Sequence, residues 1–364
     1  MWDKKSVFHF FFVSLIMYWY IICRIFGGTQ MSNVCELFLE REKNTLSKYA
    51  FLTVNTKGRE HPYTPCDNRT EFQRDRDRII HSESFRCLMN KTQVFLAPND
   101  AHYRTRLTHT LEVTQIARII ARALRLNEDL CEAIGLGHDL GHTPFGHAGE
   151  DAMQKCYSPD FTHYKQSLRV VERLENNGEG LNLTYEVRDG IVKHTGSHMA
   201  STLEGVIVKF ADRIAYINHD IDDARRAGIL ENEDIPADIR EILGDAHGKR
   251  INTMVTSVIR YSTDKNAIGM EHDVMEATNR LRDFMFENVY TNPKAKGEES
   301  KAKEILMRLF EYYVKNPHEM PDLYFRNTKN ESVERCVCDF VSAMTDRFAI
   351  EKYKELFIPE VWRG

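Results

Sequence analysis

HDLGHTPFGHAGED, residues 138–151, holds three histidines and three acids in fourteen positions. Gly141, Pro144 and Gly146 interrupt it, so it does not read as one continuous helix. A lone histidine is commonly a satisfied core residue. Three of them beside Asp139, Glu150 and Asp151 are hard to explain by packing, and the cluster reads as a site. Eight of the fifteen histidines lie between His102 and His198, so the enrichment extends to both sides of it.

Immediately upstream, residues 104–126 carry His109, Val113, Ile116, Ile120 and Ala123 at spacings of three and four, one stripe of an amphipathic helix. Asn127 is placed to cap a second helix running to about residue 139. Farther upstream, helices are predicted over 36–49 and 70–89, separated by turn residues Gly58, Pro62, Pro65, Asp67 and Asn68. Downstream, the pattern predicts helices over 167–175, 185–193, 205–227, 238–261, 273–290, 301–313 and 332–353. The polar run NPKAKGEESKAK, 292–303, reads as a linker. Strand signals are sparse and no internal repeat is present. The expected fold class is all-α, a helical bundle with a helical C-terminal extension. The expected division is an N-terminal segment 1–30, a helical region 31–103, a domain 104–230 that carries the histidine cluster and a C-terminal helical region 231–364.

The bulk composition is that of an ordinary soluble protein: 364 residues, 42% hydrophobic and 28% charged. A net charge of −5 gives no general footprint for nucleic acid. The eight cysteines are scattered without CxxC spacing, which excludes zinc-knuckle and redox motifs and makes reduced thiols in a cytoplasm the default. One segment departs from this pattern. Residues 7–23, VFHFFFVSLIMYWYIIC, are nearly all apolar and follow Lys4 and Lys5. As a membrane anchor or signal segment the run is short, it contains His9, and no small-residue cleavage site follows. Codons for Gly27 and Gly28 would resemble a ribosome-binding site upstream of Met31. The expectation is therefore a spurious extension, with a membrane anchor and a core helix as the alternatives and a membrane partner not expected.

The adjacent His138 and Asp139 can offer a nitrogen and an oxygen to one cation. His109 lies on the preceding helix stripe. Asp212 follows the apolar start of VIVKFADRIAYINHD, where a carboxylate needs a partner or a metal to offset desolvation. Two nitrogens and two oxygens suit one six-coordinate divalent ion per site, Mn or Fe, with Mg less favoured by imidazole. A closed structural zinc site would use thiolates, which are absent from this set.

The order of these residues, H…HD…D, is the signature of the HD superfamily. The text around them resembles the bacterial dGTP triphosphohydrolases and related dNTPases, in particular a shorter bacterial subgroup. The matching pieces are SFRCLMNKTQVF (84–95), RTRLTHTLEV (104–113), GLGHDLGHTPFGHAGE (135–150), KFADRIAYINHDIDDA (209–224) and CDFVSAMTDRFA (338–349). The resemblance runs from about Arg41 to the end. It implies His109, His138, Asp139 and Asp212 as metal ligands, and His147 as the general acid at the scissile bond. It implies His142 and Glu150 as phosphate-contacting and orienting groups, and His163 as a further active-site histidine. Tyr164 replaces the acid that follows His163 in some relatives, so no carboxylate role carries over there. The resemblance assigns Arg106 and Arg213 to phosphate, Tyr216 and Asp220 to the deoxyribose, and Gln93 to the sugar.

The function so implied is hydrolysis of a dNTP, with dGTP favoured, to deoxynucleoside and tripolyphosphate by a metal-activated water. The resemblance also implies a homo-oligomer and a dNTP activator. The alternatives are another HD-domain nucleotidase or phosphodiesterase, or a nucleotide-sensing or nucleic-acid-binding protein with residual activity. Arg106, Tyr216 and Asp220 argue against the first, and the intact ligand set with His147 against the second.

Overall fold

The computed structural model describes residues 34–93, 103–290 and 293–359, without the side chains of 293–297. The apolar segment 7–23 lies outside the described residues, as do Val94 and Phe95 of the first matching piece. The described residues are helical, with one isolated bridge between Thr92 and Thr105 and no strand. Among them no helix is long and apolar enough to cross a membrane.

The elements follow local chemistry. Helix α1 is Val34–Thr45. The predicted helix over 70–89 is instead α2, Glu71–Ile80, and α3, Glu83–Cys87. It breaks because the Ser82 hydroxyl accepts from Phe85 N and caps a new start. Thr105 opens α4, Arg106–Leu124, in a reciprocal capping box with Thr108. Of the stripe, His109, Val113, Ile116 and Ile120 are buried, whereas Ala123 in the last turn is exposed. Asn127 caps α5, Glu128–Gly137, through Leu130 N. Helix α6, Gly146–Cys156, lies where the sequence reading placed only a break. Next come α7, His163–Arg169, a π-turn over Val170–Leu174, and α8, Tyr185–Lys193. Thr202 caps the long α9, Leu203–Arg226.

Three other expectations are corrected. The helix predicted over 238–261 is α10, Ala237–Leu243, and α11, His247–Ser262, separated at Gly244 with φ +104°. After α12, His272–Met285, the supposed linker 292–303 begins α13, Pro293–Lys315. Its Lys, Glu and Ala residues are good helix formers, and Ala302, Leu306, Leu309 and Phe310 anchor the helix in a core. The helix predicted over 332–353 is α15, Val333–Ala343, and α16, Asp346–Phe357, with Thr345 capping the second. The short α14, Asp322–Asn327, precedes them.

Two apolar cores result. The larger joins α2, α4, α5, α8, α9 and α10 to α12 through residues such as Phe72, Ile120, Ile134, Ile207 and Leu281. The smaller joins α6 to α13, α15 and α16 through Ala148, Ala152, Met153, Leu306, Val337 and Ala349. Residues 138–145 connect α5 of the first core to α6 of the second. The histidine-rich loop is thus held from both ends by separate packed bodies.

Candidate metal centre and active site

Three helices deliver four side chains to one point. His109 projects from α4, His138 caps the C-terminus of α5, Asp139 follows it, and Asp212 comes from α9. His109 Nε2 lies 3.2 Å from Asp212 Oδ1 and 3.9 Å from Asp139 Oδ2. His138 Nε2 lies 3.5 Å from Asp139 Oδ1 and 3.9 Å from Asp212 Oδ1. His138 Nδ1 donates to the Gly135 carbonyl at 2.7 Å, which leaves Nε2 as a lone pair. That nitrogen is buried and has no hydrogen-bond partner. A buried lone pair facing two carboxylates is costly without a cation between them. The donor set of two nitrogens and two oxygens therefore fits a divalent ion.

The charges agree. Burial pushes Asp139 up, but His138, His142, Arg106 and His109 together hold its carboxyl well below the usual range. Burial acts likewise on Asp212, and the His109 hydrogen bond with His138 beside it brings the carboxyl below its ordinary value.

A second group adjoins this one. The His142 ring stacks on His163, centroids 4.1 Å apart and planes at 12°. Its Nε2 is 3.3 Å from Asp139 Oδ1. Burial and then Arg106 hold His142 well below the ordinary imidazole value. Glu150, on α6, accepts from His163 N at 3.1 Å and from its ring Nδ1 at 3.0 Å. His163 Nε2 meets His194 Nε2 at 3.3 Å, while His194 Nδ1 donates to the Ile191 carbonyl at 2.7 Å. His194 Nε2 can then only accept, so His163 donates from both nitrogens and is the charged member. Burial opposes that charge, but the Glu150 carboxylate raises the His163 pKa above its ordinary value. Burial, with His138 nearby, depresses His194 to about 3.

His147 occupies the first turn of α6 and is exposed to solvent as a residue. The surrounding protein still desolvates its ring and Arg106 repels its charge, so its pKa lies below the ordinary value. Arg106 is buried, its Nη1 2.9 Å from Asp139 Oδ2 and its Nη2 donating to the Gln93 carbonyl at 3.4 Å. A Cβ on Gly146, where φ is +56°, would stand 3.1 Å from Arg106 Nη2, so glycine allows this close turn. The buried Gln93 side-chain carbonyl has no partner.

Tyr216 and Asp220 share a face of α9 with Asp212. Burial raises Tyr216 to about 12 and Asp220 to about 7. Tyr290 donates to one Asp220 oxygen, and the other is buried without a partner. Arg213 does not join the cluster: its guanidinium bonds Asn279 on α12.

Family comparison bears on this geometry. The HD domain model matches residues 106–217, and the phosphohydrolase-associated domain model matches residues 268–355. A deoxyguanosinetriphosphate triphosphohydrolase-like protein of Caldanaerobacter subterraneus subsp. tengcongensis is 55% identical over 329 residues, which cover 90% of this chain and 97% of the relative. The chain belongs to the deoxyguanosinetriphosphate triphosphohydrolase-like family of HD-domain proteins. A protein of the same name from Desulfatibacillum aliphaticivorans is 47% identical, covering 89% of this chain and 98% of the relative. The fold is also that of a phosphohydrolase from Bacteroides thetaiotaomicron, with a TM-score of 0.50 at 18% identity, covering 78% of this chain and 69% of the other.

As an HD-domain protein of this family, the chain is a metal-dependent hydrolase. Several residues of this HD-domain site carry no signal in the sequence that would assign them a role. His194 was visible only as part of the histidine excess. Tyr290 had no local signal. Lys91 and Asp346 lay in matching pieces but carry no chemistry of their own.

The structure shows what Lys91 and Asp346 touch. Buried Lys91 Nζ donates to the His142 carbonyl and, at 2.9 Å, to the Ser342 carbonyl. Asp346 accepts from Phe145 N at 2.9 Å, Thr92 N at 3.0 Å and Thr92 Oγ1 at 2.7 Å. Phe145 has φ +63°, a left-handed conformation that costs a side-chain-bearing residue about 1–3 kcal/mol. The C-terminal helices thus hold the loop in a conformation it would not adopt unaided. Asp346→Ala is expected to lower folding stability by about 3 kcal/mol, because buried donors lose their acceptor. It should also slow turnover while leaving the metal content per chain unchanged. A urea midpoint and a rate both equal to wild type would remove Asp346 from this role.

Proposed function

We propose that this enzyme hydrolyses deoxynucleoside triphosphates, dGTP foremost, to deoxynucleoside and tripolyphosphate. The observation that carries the reading is the α9 face, on which Asp212, Tyr216 and Asp220 follow one another at intervals of four. A sugar held by Tyr216 and the free oxygen of Asp220 would bring the α-phosphate, rather than the γ-phosphate, to the Asp212 end. The name borne by the relatives supports the substrate class.

A divalent ion, Mn or Fe, held by His109, His138, Asp139 and Asp212 would supply Lewis acidity and a more acidic water. The other residues do the rest. Arg106, next to Asp139, faces the charge that builds on the phosphoryl oxygens. Glu150 and charged His163 keep the His142 ring stacked beside Asp139. His147 protonates the departing 5′ oxygen. Its depressed pKa without substrate is consistent with that task, since the negative charge of an arriving triphosphate favours the protonated ring. Because Arg213 is engaged with Asn279, its phosphate contact would require that bond to open.

Hydrolysis of each dNTP with Mn²⁺ in ¹⁸O-labelled water tests the reading. Label is expected in tripolyphosphate, with none in the nucleoside. If dGDP or dGMP is the first product, the triphosphohydrolase assignment fails and a general HD-domain nucleotidase takes its place.

A further inference from the structure

We propose that Glu112 and His219 form a relay that sets the tautomer of His109 and so strengthens the grip of the centre on its divalent ion. The inference rests on His109 as a ligand and is independent of the substrate. His219 lies on α9 and is almost fully buried, and Glu112 lies one turn beyond His109 on α4. His219 Nε2 is 2.8 Å from Glu112 Oε2. His109 Nδ1 is 3.4 Å from His219 Nδ1, and the two rings stand at 90° with centroids 5.6 Å apart. Arg104 pins Glu112 from the other side, Nε to Oε2 3.2 Å, and also reaches Asp222 at 3.3 Å and Asp223 at 3.2 Å.

The proton positions follow from what each atom can do. The Glu112 carboxylate can only accept, so His219 Nε2 donates to it. With a single proton on His219, its Nδ1 is then a lone pair, and the atom facing it, His109 Nδ1, carries the proton. That leaves His109 Nε2 as a lone pair on the side of Asp212 and Asp139, as a metal requires. Without the relay, nothing in this chain of contacts favours Nδ1–H over Nε2–H, because Asp212 3.2 Å from Nε2 would itself welcome a proton there. A carboxylate acting through an imidazole orients the ligand ring and raises its basicity, and loss of such a partner typically weakens metal binding by about 10–100-fold.

The test is Mn²⁺ affinity of the whole chain by titration calorimetry, with no nucleotide present. His219→Leu removes both hydrogen bonds and should weaken Mn²⁺ binding by about 10–100-fold. His219→Gln should recover most of the affinity, since its amide offers a carbonyl to His109 and an N–H to Glu112. Glu112→Leu, at a half-exposed position, should weaken binding in the same direction and guards against poor folding of the buried variant. The relay is overturned if the Glu112 and His219 leucine variants both bind Mn²⁺ as wild type does. It is overturned equally if the glutamine variant is as weak as His219→Leu, which would make the ring a packing element. Wild-type protein that binds no Mn²⁺ would defeat the ligand reading beneath it. Failure of dNTPs as substrates, with these affinities as expected, would leave the relay standing.

Discussion

Asp139→Ala should yield a folded protein that neither retains a divalent metal nor turns over substrate. Asp139 is the residue on which the site converges. Arg106, His142, His138 and His109 approach its two oxygens at 2.9, 3.3, 3.5 and 3.9 Å. Removing the carboxylate takes away one proposed ligand and leaves Asp212 as the one carboxylate beside three imidazoles and a buried guanidinium. The centre would then attract a cation far more weakly. Lewis-acid assistance is worth several kcal/mol, so its loss corresponds to a fall of roughly 10³-fold or more in rate. The fold should survive, because both apolar cores are built from other residues. Metal content by elemental analysis, turnover, and helical circular dichroism would be measured together. A variant with wild-type metal content and activity would dismiss Asp139 as a ligand.

His147→Ala should behave differently. Turnover is expected to fall by about 10²–10⁴-fold, the usual contribution of a positioned proton donor. Metal content and helicity should stay at wild-type levels, since His147 touches none of the four proposed ligands. It stands at the start of α6 with solvent on one side and Arg106, Glu150 and His163 as its charged neighbours. The alanine variant should also lose the alkaline limb of the rate profile that reflects deprotonation of this ring. A loss smaller than about threefold would be far below general-acid catalysis and would shift the proton-donor role elsewhere in the cluster.

The chain's periodicity and residue chemistry determined a good deal by themselves. The spacing of Val113, Ile116 and Ile120 fixed the inner face of α4, and His109 lies on that face, so its burial was legible. The density of His and Asp around residue 138 announced a site because packing does not call for such residues. Asn127 marked a helix start because its short side chain can satisfy a backbone donor locally. The all-α class followed from the same local rules. Local rules ran out where two signals competed. Residues 70–89, 238–261 and 332–353 keep a helical pattern of apolar residues through a break, and Ser82, Gly244 and Thr345 decide the matter through single hydrogen bonds or one backbone angle. The polar run 292–303 reads as a linker because, apart from Ala302, its anchoring residues come afterwards. Tertiary structure alone decided the rest. The neutral tautomer of His138 depends on Gly135, the charge on His163 on Glu150 and His194, and the direction of Arg213 on Asn279. The left-handed Phe145 depends on Asp346, which lies two hundred residues away in the chain. Periodicity along a chain says which face a residue occupies, but donors and acceptors on separate elements find each other only when packing brings those faces together.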